Sequence, residues 1–141
     1  MITWHDLGPR PAPVIIHGTD ADGRHVHTLD SAREEYRIRC YPRVGFWFDV
    51  EAQRIGLIER NDEFACALPN VAKFELSFCR VAKGWGHIGF CAIGKIRDKR
   101  IWALTANRYS EEVFQWFEST AAVISHVTAM DLIQDDQGYD A

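Results

Sequence analysis

Leu104-Thr105-Ala106-Asn107-Arg108-Tyr109-Ser110-Glu111-Glu112-Val113-Phe114-Gln115-Trp116-Phe117 is where this chain changes its period. From Val44 to Asn107, short apolar alternating runs are broken by turn signals, the pattern of half-buried strands. From Ser110 to Ile133 the residues Val113, Phe114, Phe117, Ala121, Ile124 and Thr128 recur at three- and four-residue spacing, the stripe of an amphipathic helix. Ser110 suits the N-cap, and Glu111 and Glu112 place negative charge in the first turn, where the helix dipole favours it. The fold class expected is α+β: a mainly antiparallel β sandwich or half-barrel of about seven strands, closed by one long C-terminal α-helix.

Upstream of the change, Lys73-Phe74-Glu75-Leu76-Ser77-Phe78-Cys79-Arg80 gives the clearest alternation. It predicts a strand with Phe74, Leu76 and Phe78 packed against Phe117, Ala121 and Ile124, and Lys73, Glu75 and Ser77 facing water. Phe46, Phe48 and Val50 share one face of an earlier strand, and Trp47 and Asp49 the other. Lys83-Gly84-Trp85-Gly86 and Asp98-Lys99 read as turns joining two successive hairpins.

Nearer the start, Tyr36-Arg37-Ile38-Arg39-Cys40-Tyr41 alternates like a strand, entered through a single helical turn capped by Asp30 or Ser31. Val14-Ile15-Ile16-His17 and His25-Val26-His27-Thr28, on either side of Asp20-Ala21-Asp22-Gly23, predict another hairpin. Three prolines in alternate positions, Pro9, Pro11 and Pro13, make residues 1–12 an extended arm. The acidic residues 134–141 read as a frayed tail. One domain, 1–141, is the expectation from 141 residues.

Composition excludes whole classes. With 47% hydrophobic and 26% charged residues the chain can bury a core. A formal net charge of -4 argues against nucleic acid as the main partner, because phosphate binding draws on clustered Lys and Arg. No eighteen-residue apolar run offers a membrane span, and the first residues lack a signal-peptide pattern, so a cytoplasmic location is expected. Cys40, Cys66, Cys79 and Cys91 are dispersed, which in that compartment means reduced thiols.

The run Phe48-Asp49-Val50-Glu51-Ala52-Gln53-Arg54-Ile55, then Ala67-Leu68-Pro69-Asn70-Val71-Ala72-Lys73-Phe74-Glu75-Leu76, and finally Leu104-Thr105-Ala106-Asn107 before the Glu-rich helix start, set out an order of elements over residues 44–133. That order resembles the small bacterial pleckstrin-homology-like domains. The resemblance implies a binding scaffold for peptides, proteins or lipid head groups with no shared catalytic residue. Two features stand outside it: the runs from Val14 to Thr28, and the absence of a basic cluster before Trp47. Fold alone assigns no function.

Candidate site residues follow from chemistry. Trp85, framed by Gly84 and Gly86, is a large aromatic on a flexible tip, the residue type most enriched among interface anchors. Trp47, out of phase with Phe46 and Phe48, is a second exposed-aromatic candidate, and Lys99 and Arg100 mark a basic hairpin tip. His17, His25 and His27 would share a face in one hairpin register and could hold zinc with an open position; a one-residue slip separates them, and the expectation is no metal and no cofactor. No nucleophile, zinc-protease or phosphate-loop motif is present.

The sequence therefore points to a non-enzymatic protein-binding domain with a protein partner or a second copy of itself. Two alternatives remain open. One is a small acidic inhibitor of a host defence protein, of the phage or plasmid type. The other is a metal-dependent hydrolase on the His17, His25 and His27 face.

Overall fold

The computed structural model describes residues 1–18 and 30–140. Two sheets carry the chain. The first is antiparallel in the order β1-β3-β4-β5, with β1 at Ile2–Asp6, β3 at Gly45–Asp49, β4 at Arg54–Glu59 and β5 at Asp62–Ala67. A short 3-10 turn, Leu68–Asn70, with Pro69 in it, leads into the second sheet. There the order is β2-β8-β7-β6-β9: β2 at Ile15–Ile16, β6 at Val71–Arg80, β7 at His87–Gly94, β8 at Arg100–Ala106 and β9 at Leu132–Tyr139. Among the described residues only the β6–β9 pair is parallel.

Both sheets turn apolar side chains into one buried cluster. Phe46, Ile55, Leu57 and Phe64 come from the first, and Phe74, Leu76, Phe78, Phe90 and Leu104 from the second. Helix α2, Glu111–Thr128, adds Val113, Phe117, Ala121 and Ile124. Each such side chain taken from water contributes about 1.5–3 kcal/mol, so the Phe74, Leu76, Phe78 and Phe117 grouping expected from periodicity carries a substantial share of the core. Ser110 caps the helix as expected, its Oγ accepting from the Val113 N–H at 3.2 Å.

Several expectations are corrected. Residues 30–39 form helix α1, Asp30–Arg39, in place of a strand. Ala32, Tyr36 and Cys40 lie four residues apart and share one buried face, while Ile38 is 74% exposed. The strands among the described residues number nine, against about seven expected. Residues 1–12 are anchored: β1 pairs with β3, Arg10 makes a bidentate contact with Glu59 at 2.9 and 3.0 Å, and Trp116 Nε1 donates to the Leu7 carbonyl at 2.9 Å.

The long helix does not end the fold. It stops at Ala129, in the left-handed region at φ 57, and the residues expected to fray form β9 beside β6. Nor is the second face of β6 wet, since Glu75 and Ser77 are both buried. The return run His25–Thr28 lies outside the described residues; the outgoing run pairs with β8 through Ile15 and Ile16.

Candidate functional site

The β6–β7 connection, 81–86, holds the most exposed tryptophan described, Trp85, at 71%. Its backbone is tied from three sides. Asp140, just past β9, accepts through its carboxylate from the N–H groups of Ala82 at 2.6 Å, Lys83 at 3.0 Å and Gly86 at 2.8 Å. The Tyr109 N–H donates to the Trp85 carbonyl at 2.8 Å, and the Asp140 N–H to the Arg80 carbonyl at 2.9 Å. Both flanking glycines are required: Gly86 has φ +67, and a side chain on Gly84 would press on the Asp140 carboxylate.

Those amide donors, Ala82 first, then Gly86, Lys83 and Gly84, hold the Asp140 carboxyl down to about 2 against desolvation, which opposes them and is second only to the Ala82 bond. The acidic residue that looked like tail is thus the keystone of the loop. Beside it the Arg80 guanidinium lies 4.9 Å from the Phe78 ring centre and 5.8 Å from that of Tyr139, and pairs with Asp136 at 2.8 Å. Val81, in the loop, and Tyr139, opposite Arg80 on β9, are exposed as well.

The other predicted residues lie elsewhere. Trp47 is corrected: it is 2% exposed, sandwiched between the first sheet and α1 in a second cluster with Ala32, Tyr36, Cys40, Ile58 and Ala65. Its ring covers Gly56, the residue opposite it on β4, where any Cβ would collide with the indole. Arg100 is committed to Glu75, Nε to Oε1 at 3.0 Å and a second contact at 3.3 Å. Lys99 lines an open groove of about 820 Å³ with Pro69, Asn70, Ile96 and Ile101. Ile96, 79% exposed between Lys95 and Arg97, forms the tip. Because β7 spans eight residues, this tip lies about 25 Å from the Trp85 loop along the strand.

His17 is half-buried and its Nε2 meets Thr105 Oγ1 at 2.8 Å; burial lowers its pKa, favouring the neutral ring. His25 and His27 lie outside the described residues. Among the described residues no three His, Cys, Asp or Glu side chains are grouped for a metal ion. Burial, helped by the Glu75 charge and opposed by Arg100, pushes the Cys91 thiol up to about 12, so it is a structural group at neutral pH.

One surface escaped the sequence reading. On the outer side of the second sheet, His17, Ser77, His87, Gly89, Trp102 and Thr105 line a shallow groove of about 320 Å³. Trp102 lies over Gly89, whose Cβ would come within 2.5 Å of the ring, and His87 Nε2 meets Gln137 Oε1 at 2.8 Å. Alternation marked this face as solvent; a tryptophan in the outward phase was the available signal. No family model, curated protein or solved structure matches the chain.

Proposed function

We propose that this chain is a non-enzymatic protein-binding domain of the pleckstrin-homology-like type, acting in the cytoplasm, and that Trp85 is its anchor. The observation that carries this reading is an indole 71% exposed on a loop whose backbone is fixed by four hydrogen bonds, three to the Asp140 carboxylate and one from the Tyr109 N–H. An exposed Trp adds nothing to the core, and a loop already ordered loses little freedom when a partner closes over it. Element order supports the family reading. β1, β3, β4 and β5 make one antiparallel run of four, β6, β7 and β8 a second of three, and α2 follows. Shared burial of the two apolar faces favours a half-open sandwich, with β2 and β9 as additions at the edges of the second sheet.

The acidic-mimic alternative has less to stand on, because Asp136 and Asp140 spend their charge on Arg80 and the loop amides. A partner is expected to lose about 2 kcal/mol or more of affinity on Trp85→Ala, the hot-spot scale. Quantitative capture from native lysate with wild-type and variant protein, alongside their melting temperatures, tests it. A large fall in melting temperature with capture unaltered refutes the reading.

A further inference from the structure

Strand β9 and the loop it reaches behave as ligand and receptor within one chain. Of β9, Leu132 packs on the main cluster, while Ile133, Gln134, Asp136, Gln137 and Tyr139 are exposed. What holds the strand is its parallel main-chain pairing with β6 and a set of specific contacts over Asp136–Asp140. Arg80 takes Asp136 and lies near the Tyr139 ring, and the amides of Ala82, Lys83 and Gly86 take Asp140. The segment held there has the form Asp-x-Gly-Tyr-Asp, with Gly138 at φ +77 donating its N–H to Asp136 at 2.9 Å. Backbone amides converging on a carboxylate form an anion-binding concavity, and main-chain addition to a strand edge is a general mode of segment recognition.

The joint between α2 and β9 is short. Asp131 is already engaged, its carbonyl accepting from the Phe74 N–H at 2.8 Å, which leaves Ala129 and Met130 to make the turn. Ala129 sits at φ 57, where glycine is the usual residue. Against that strain, Met130 N–H donates to the Ser125 carbonyl at 3.2 Å and Ser125 Oγ to the Met130 carbonyl at 2.6 Å. Short strained hinges of this kind invite exchange of the element beyond them.

We infer that the β6 edge with the Ala82–Gly86 amides is a binding site for an acidic extended segment, and that a second copy of this chain fills it with its own β9. Exchange is reciprocal, so the product is a closed two-fold dimer and not a filament. Every contact that Asp136, Tyr139 and Asp140 make with β6 and the Ala82–Gly86 loop is reproduced between chains. Only the hinge differs between the closed and exchanged forms, and opening it releases Ala129 from the left-handed region. The inference is independent of what Trp85 binds.

The test uses the full chain, incubated at high concentration in mild denaturant, returned to buffer and sized by light scattering. A dimer fraction is expected, reduced at least threefold by Ala129→Gly, which relaxes the closed turn, and increased at least threefold by Ala129→Val, which strains it. In the double variant Ser77→Cys with Asp135→Cys, whose positions face one another on β6 and β9, oxidation of the isolated dimer is expected to link two chains on a non-reducing gel. A monomer under all conditions, a dimer fraction indifferent to both hinge substitutions, or a disulfide confined to one chain overturns the inference.

Discussion

The two sheets use the same device on their outer faces and end with different surfaces. On the first, Trp47 lies across Gly56 of the neighbouring strand; on the second, Trp102 lies across Gly89. A ring laid over a glycine restores the packing that a missing side chain removes from a strand. Helix α1 then covers Trp47, whereas Trp102 remains 38% exposed beside Arg100 and the His17–Thr105 pair. Neither described helix packs on that second face, since α2 reaches β6 and β7 from the apolar side. The helix, and not the strand sequence, decides which tryptophan is core and which is surface.

The largest expected effect is at the covered ring. Trp47→Ala should cost about 3–5 kcal/mol in urea denaturation, the scale of a large aromatic removed from a core. A loss below about 1 kcal/mol would show that α1 does not seal the first sheet. Adding a methyl under each ring sharpens the contrast. Gly56→Ala should cost about 1–3 kcal/mol because Trp47 has nowhere to go, and Gly89→Ala less than about 1 kcal/mol because Trp102 can swing into solvent. The Trp102 indole resonance is expected to move in the second variant only, and equal costs would break the comparison.

Acid separates the regions in another way. A carboxyl lowered on folding stabilises the native form above its ordinary value near 3.8, and that contribution is lost as pH falls through the lowered value. For Asp140 the window runs from about 4 down to about 2, and Asp136, lowered by the Gly138 N–H and Arg80, changes in the same direction. The protection of the Ala82, Lys83 and Gly86 amides, taken relative to their intrinsic exchange rate at each pH, should therefore fall as pH drops across that window. Loss of protection only above pH 5 would remove Asp140 from its role. The smallest effect belongs to Trp85→Ala, expected within about 0.5 kcal/mol of wild-type stability, as for surface positions generally.

The core around Phe74, Leu76, Phe78 and Phe117 was legible because each element shows its own period and α2 its own cap. Helix α1 was not. Tyr36, Ile38 and Cys40 alternate, and the four-residue spacing of Ala32, Tyr36 and Cys40 becomes decisive only when a sheet face carrying Trp47, Ile58 and Ala65 lies beside it. Strand β9 failed for a related reason. Its sequence is acidic and poor in apolar residues, and its stability comes from main-chain pairing and from Asp140, whose amide partner Ala82 lies 58 positions away. The exposure of Trp85 was legible because two flanking glycines are a local signal; the network that orders its loop is non-local.

That span of 58 positions also sets an order in time. β6, β7 and β8 can zip as successive hairpins on microsecond scales, with short loops to close. β9 can join only after α2 has formed and turned the chain back along β6, and parallel, long-range pairing of that kind is slow to nucleate. The contacts of Asp140 with the Trp85 loop therefore form only when the last strand arrives, whereas the Tyr109 N–H bond to the Trp85 carbonyl does not wait for it. The fully tied loop therefore reports that the last strand is in place, and a chain lacking β9 would carry Trp85 on a looser loop held by Tyr109 alone.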